Sequence, residues 1–379
     1  MNEARTLEHP LPPGMRDLLP EEAASRRAIS RAVIASFSLH GYRLVTPPAF
    51  EFASVLERGL GTLATADVLR FIEPESGEVA VLRPDMTPQV ARIVATRMKS
   101  RPPPYRISYE GTVVRRRIGR AKKHRQIPQV GVELCGVASI DADLEILELA
   151  AATLRAAGLT RFTIDIGDAG IMRSLLEGVS EDRAHAITRA LRHKDEAVLS
   201  EIASDQIAAL ARLHGKRPAL EEAVKILAST PARLASERLL ALYDAACARG
   251  LSDVLSADAG EVRGFAYYTG MTFTIFADGP GEPIGAGGRY DELLARFGAA
   301  MPAVGLGIDL DALAWALRVA AATEPKLGGV VVVGPPNDPR LAALRARGVA
   351  AVAVGDESAA EAYAASWGFE RVLREGEGI

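Results

Sequence analysis

The stretch EVRGFAYYTGMTFTIF, residues 261–276, sets Arg263 shortly before the adjacent pair Tyr267 and Tyr268, and PIGAGGRYDELL follows at 283–294. An arginine, paired tyrosines and a glycine-rich turn close together in the chain are what a site for a small polar ligand needs. YYTGMTFTIFA (267–277) reads as a strand. On a strand, neighbouring side chains point to opposite faces, so one tyrosine could be core and the other could line a cavity. GAGGRYDE (285–292) has the glycines of a tight backbone turn but lacks the Lys-Ser/Thr of a phosphate loop and the spacing of a dinucleotide fingerprint. Its plain structural reading is a strand connection needing positive φ.

Working outward, the pattern predicts a helix from Pro20, with Ile29, Val33 and Phe37 on one face and His40-Gly41 at its end. YRLVTPPAFEF reads as a strand broken at Pro47-Pro48, and FIEPESGEVAVLRP (71–84) as a hairpin. YRISYEGTVVR (105–115) and QVGVELCGV (129–137) are extended runs joined by a basic loop. A helix with Asp141 as its cap follows, then a strand over 161–167. Residues 168–258 are rich in Ala, Leu, Glu and Arg with little strand signal, which predicts an inserted helical subdomain. AVGLGI (303–308) is a strand leading into a helix over DLDALAWALRVAAA, and the last 55 or so residues read as βαβαβ after the linker TEPKLGG.

With 379 residues, 48% of them hydrophobic, the chain can build one large core or two ordinary ones. A formal net charge of -3 argues against a dedicated nucleic-acid binder. Cys135 and Cys247 lie far apart in sequence, which reads as reduced thiols in a cytoplasmic protein. The proline-rich start carries no signal-peptide pattern, and no apolar run approaches the roughly 20 residues that span a bilayer. The six histidines are scattered without metal-ligand spacing, so neither a metal nor a cofactor is expected. The loop RRRIGRAKKHR (115–125) holds seven Arg or Lys; it is either a phosphate clamp or a solvated hairpin tip.

Taken in order, PPGMRDLLPEE, GYRLVTPPAFE, LRPDMTPQVAR, the QIPQVGVELCG strand, VRGFAYYTGMTFTIF, GAGGRYDEL and VGLGIDLDAL resemble the catalytic domain of histidyl-tRNA synthetase over residues 10 to 320. The resemblance implies an α+β fold: a class II aminoacyl-tRNA synthetase-like, mainly antiparallel sheet flanked by helices. It implies a synthetase-like domain over 1–325 with the helical insertion at 168–258, then a small C-terminal α/β domain at 326–379. By the family's pattern the histidine-binding residues are Asp85, Thr87, Arg115, Gln129, Glu133, Arg263, Tyr267 and Tyr268, with Asp85 standing for a glutamate. Carboxylates suit the ligand's ammonium and imidazole N–H groups, and the arginine suits its carboxylate.

The groups that the family uses on ATP depart from the pattern. Arg117 stands where motif 2 carries glutamate, and Asp309-Leu310-Asp311-Ala312 stands for Gly-Leu-Glu-Arg, so the arginine of motif 3 is replaced by Ala312. Ala266 replaces an aspartate and Ala286 interrupts the glycine run. Losing such charge partners costs orders of magnitude in rate. The C-terminal ~55 residues are also too few for an anticodon-binding module. This combination resembles the regulatory subunit of ATP phosphoribosyltransferase. That resemblance implies no catalytic residues, L-histidine as ligand, a short-form catalytic subunit as partner and a homodimeric core, formed through GYRLVTPPAFE, within a hetero-oligomer. It leaves open whether inhibitory histidine uses the inherited pocket or an interface. A divergent histidine-activating ligase and an RNA-binding protein using the 115–125 loop are the alternatives.

Overall fold

The computed structural model describes residues 11–60, 68–116, 124–262, 267–320 and 328–379. Helix α1 (Pro20–Leu39) opens on proline, which suits a position whose N–H has no helical partner, and ends before Gly41 at φ +86°. Strands β1 (Arg43–Val45) and β2 (Phe50–Phe52) flank Pro47-Pro48, followed by α2 (Ala53–Leu60), the hairpin β3 (Arg70–Ile72) and β4 (Val79–Leu82), and α3 (Thr87–Arg97). The long strands β5 (Tyr105–Val114) and β6 (Gln126–Cys135) lead to α4 (Ile140–Ala156) and β7 (Thr163–Asp168). Ser139, not Asp141, is the N-cap residue of α4; Asp141 lies in the first turn, where its charge favours the helix N-terminus.

Residues 168–258 hold α5 (Ala169–Leu175), α6 (Glu181–Arg192), α7 (Glu196–Ile202), α8 (Asp205–Leu210), β8 (His214–Gly215), α9 (Arg217–Leu227), α10 (Arg233–Ala246) and β9 (Leu255–Asp258). The segment is therefore not purely helical: β9 joins the main sheet parallel to β7. Its residues Leu255 and Ala257 are buried, so packing against β7 outweighs a weak local strand signal. Then come β10 (Met271–Phe276), β11 (Gly285–Arg289), β12 (Ala303–Asp309) and α11 (Leu310–Val319).

Nine strands form one sheet in the order β1-β5-β6-β12-β11-β10-β7-β9-β8; β1 with β5 and β7 with β9 are its parallel pairs and the rest are antiparallel. Strand alternation divides its two faces. Val130, Val132 and Leu134 of β6 join the large core with Val33 and Phe37 of α1, Ile146 and Leu147 of α4, and Leu313 of α11. Gln129, Gly131 and Glu133 therefore face the other way, toward a second cluster that holds Met86, Val90, Ile107 and Tyr109. A small antiparallel sheet, β2-β4-β3, accompanies it.

The chain divides into two compact units, the second made of residues 18–28 and 323–379. In that unit β13 (Val330–Val333), α12 (Pro339–Ala346), β14 (Ala351–Val354), α13 (Glu357–Trp367) and β15 (Arg371–Leu373) form a parallel sheet in the order β14-β13-β15. Val330 and Val332 pack with Leu341 and Leu344 of α12, while Val331 and Val333 pack with Ala360 and Ala364 of α13. Arg340 donates to the Val333 carbonyl at 2.8 Å and to the Arg374 carbonyl at 2.6 Å, and its guanidinium also pairs with Asp338 at 2.8 Å.

Phe273 of β10 is fully buried, its ring beneath Gly287. Phe273→Ala is expected to lower stability by about 3–5 kcal/mol, read by equilibrium urea unfolding.

Candidate functional site

Cross-strand register builds the site. Ile107, Glu133 and Gly305 lie side by side across β5, β6 and β12, and Tyr109, Gly131 and Gly307 form the next row. The glycines are needed for space. A Cβ at 305 would lie 1.7 Å from Glu133 Oε2, and one at 131 would lie 2.3 Å from both the Tyr109 hydroxyl and the Leu306 carbonyl. The sheet is thus thinned along these rows, and a cavity of about 460 Å³ opens over it.

Of the residues expected from sequence, Asp85, Thr87, Arg115, Gln129, Tyr267 and Tyr268 line this cavity. Glu133, 1% exposed, lies behind the wall: Thr87 Oγ1 donates to its Oε1 at 2.7 Å and the Tyr290 hydroxyl donates to its Oε2. Arg263 falls outside the described residues, as do Arg117 and Ala266 and most of the 115–125 loop. The two tyrosines do not alternate on a strand. They precede β10, both are buried, their ring centroids are 4.9 Å apart, and both face the cavity. Gly270 and Thr269 intervene before the strand, so the period-two rule does not apply to the pair.

Tyr109, Tyr290, His124, Glu282 and Asp309, none of them among the ligand residues expected from sequence, also line the cavity. Period-two alternation carried the signal for Tyr109, which shares a face of β5 with Ile107, the cross-strand partner of Glu133; Tyr290 follows directly after β11. His124 and Glu282 lie in connections whose course no local pattern fixes.

The wall is rich in hydrogen-bond acceptors. Asp85 Oδ2 accepts from the Tyr267 hydroxyl at 3.0 Å, and Gln129 Oε1 is buried with no partner among the described residues. An acceptor of this kind fits a ligand that brings N–H donors, because leaving it unpaired costs about 1–3 kcal/mol. Burial raises the Glu133 carboxyl to about 8, against the bonds from Thr87 and Tyr290 that favour the carboxylate, and the nearby Asp85 charge raises it further. Burial, then the neighbouring carboxylates, hold the hydroxyls of Tyr109, Tyr267 and Tyr290 well above the usual tyrosine range. They remain O–H donors at neutral pH. Elsewhere the carboxylates of Asp165, Asp258 and Glu261 lie within 4.8 Å of one another, but Lys194 Nζ is already 2.6 Å from Asp258 Oδ2.

The chain as a whole has counterparts among known proteins. The histidyl-tRNA synthetase family model matches residues 14–313. A protein from Geobacter sulfurreducens called ATP phosphoribosyltransferase regulatory subunit is 37% identical over 355 residues, covering 91% of this chain and 81% of the relative. One of the same name from Moorella thermoacetica is 35% identical, with 96% of each chain covered. The chain belongs to the ATP phosphoribosyltransferase regulatory subunit branch of the histidyl-tRNA synthetase family. A crystal structure from Bacillus halodurans C, titled an ATP phosphoribosyltransferase regulatory subunit/histidyl-tRNA synthetase, superposes with a TM-score of 0.80 at 28% identity, covering 96% of this chain and 97% of that one. Histidyl-tRNA synthetase from Nostoc, 20% identical with a TM-score of 0.76, shares the fold.

The residues at the end of β12 have local roles. Asp309 caps α11, accepting from the N–H groups of Asp311 and Ala312 at 3.0 and 3.1 Å. Asp311 pairs with Arg16 at 2.8 Å. Residues 309–312 are thus built into a helix start and an ion pair.

The raised Glu133 value sets a pH dependence. The folded protein keeps this proton up to about 8, whereas an unfolded glutamate, at about 4.5, has lost it. The folded state therefore binds more protons in that window, and stability falls as pH rises through it. Asp143, raised to about 6 mainly by burial, contributes only to the lower part. Between pH 6 and 8 the slope of unfolding free energy is expected to approach about -1.4 kcal/mol per pH unit, the limit for one proton, and to flatten in Glu133→Gln. Urea unfolding across that range measures both.

Proposed function

We propose that this chain is a non-catalytic regulatory subunit that binds L-histidine in the cavity beside Glu133 and controls a separate, short-form ATP phosphoribosyltransferase catalytic subunit. The complex then carries out the first step of histidine biosynthesis in the cytoplasm and is inhibited by the end product. The observation that carries this reading is the pairing of an acceptor-rich cavity, built on Asp85 and Gln129, with the Asp309–Ala312 segment, which offers no cation from the end of motif 3. The names of the relatives support the partner. Among the described residues no helix is long and apolar enough to cross a membrane.

A ligand cavity without its own chemistry must act through an equilibrium between arrangements of a complex that differ in ligand affinity. Histidine suits the cavity: its ammonium and imidazole N–H groups are donors for Asp85 and Gln129, and Arg263, by its place in the RG-x-x-YY block, answers the ligand carboxylate. The homodimeric core is supported by the apolar side of β2, where Phe50 and Phe52 are exposed and Phe50 meets Phe71 edge to face at 5.2 Å. Exposed aromatic clusters of this kind mark contact surfaces. Phe50→Asp with Phe52→Asp is expected to yield monomers at micromolar concentration in sedimentation analysis, with histidine binding retained.

The functional test has two arms. The purified protein should show no histidine-dependent ATP–pyrophosphate exchange; exchange above background that Arg263→Ala abolishes would establish a ligase instead. Mixed with a short-form ATP phosphoribosyltransferase, it should form a stable hetero-oligomer of raised activity that histidine lowers, with a coupling of roughly 1 to 3 kcal/mol. Asp85→Ala should preserve assembly and blunt the inhibition. Failure to associate at micromolar concentration would refute the regulatory reading.

A further inference from the structure

The cavity's aromatic wall is held by residues that do not touch the cavity. Tyr267 and Tyr290 meet edge to face with centroids 5.7 Å apart, one donating to Asp85 and the other to Glu133. They belong to segments more than twenty residues apart in sequence, so their relative placement needs a connection. Thr269 N donates to the Arg289 carbonyl at 2.8 Å, and Asp291 N donates to Thr269 Oγ1 at 2.9 Å. The side chain of Thr269 thus closes a reciprocal pair of bonds between the turn carrying Tyr267-Tyr268 and the end of β11 carrying Tyr290.

The β11 end is fixed in turn to the body of the domain. Arg289, 7% exposed, turns its side chain away from the cavity. Its Nε donates to Asp143 Oδ1 in the first turn of α4 at 2.9 Å, and its terminal nitrogens reach the carbonyls of Val137 and Ser139 at 3.2 and 3.1 Å. Asp291 Oδ1 accepts from Arg289 at 3.3 Å and from Ala303 N at 3.2 Å, which ties the same point to β12. A guanidinium whose three nitrogens all have partners, one of them the buried Asp143, is held in place, since moving it would strand several charged or polar groups at once.

We propose that Thr269, Arg289 and Asp291 form a positioning brace that fixes the Tyr267–Tyr290 pair over the two carboxylates, and so sets the ligand specificity of the cavity without contacting ligand. None of the three lines the cavity. The ligand arm of the test rests on the histidine reading; the spectroscopic arm does not.

The protein is labelled with 3-fluorotyrosine, and the signals of Tyr267 and Tyr290 are assigned from their Phe variants among the eight tyrosines. In Thr269→Val, which keeps the side-chain shape but removes the hydroxyl, both fluorine signals should shift. L-histidine affinity by calorimetry should fall roughly tenfold, the scale of one lost hydrogen bond to a positioned group. Thr269→Ser should restore both readouts, which a general loss of packing would not permit. Arg289→Lys, which keeps the charge but not the forked donors, should shift the Tyr290 signal. Folded Thr269→Val and Arg289→Lys with unchanged fluorine signals would overturn the brace, as would unfolding of both, which would make the residues structural only. If the unaltered protein does not bind histidine, that reading fails while the fluorine signals still decide the brace.

Discussion

Glu133 can lie across β12 because residue 305 has no side chain: any Cβ there would fall within bonding distance of the carboxylate. The close approach puts an ionisable group against backbone, out of reach of water. Two hydroxyl donors then become necessary, and Thr87 and Tyr290 supply them. Thr87 opens α3 and Tyr290 directly follows β11, so one buried carboxyl ties its own strand to two other segments. The cavity wall is the outer surface of that arrangement. Its floor follows from the same thinning of the sheet at Gly131 and Gly307.

Much of this was legible in the sequence, for identifiable reasons. Helix α1 has a proline start, an i, i+4, i+8 face and a glycine stop, three local signals that agree. Strand β5 alternates because Tyr105, Ile107 and Tyr109 face the second cluster, and β6 because Val130, Val132 and Leu134 face the main core. Asp85, Thr87 and Gln129 were found through the resemblance, since their roles come from register between distant strands and no local pattern encodes that. The cap of α4 was misplaced by two residues because Ser139 and Asp141 are both capping types and only the backbone path chooses between them. β9 was missed since it is short and owes its conformation to β7. The tyrosine pair was assigned to a strand that begins only after Gly270.

The same side-chain chemistry serves different ends at neighbouring positions. Asp309 both lines the cavity and caps a helix, so its carboxylate is already committed to two backbone N–H groups. Asp311, two residues on, is held by Arg16 from the N-terminal segment. Gly14 in that segment accepts from Arg125 N, and Arg16 N donates to Gln126 at the start of β6. Residues 14–16 are thereby stitched to both strand β6 and helix α11, and any variant at Arg16 should be judged first as a change in that stitching.

In open parallel sheets, ligands settle in the crevice at the carboxyl ends of the strands, where the order reverses. In the three-stranded C-terminal sheet that place lies between β13 and β15, and Arg340 fills it, bridging the last carbonyl of β13 to Arg374 just beyond β15. A nucleotide or other anion entering there would meet carbonyl oxygens and the Asp338 carboxylate once the guanidinium moved aside, and would be repelled by them. The module has in effect a resident ligand of its own. On the adjoining helix, Tyr363 and Trp367 stand exposed one turn apart on α13.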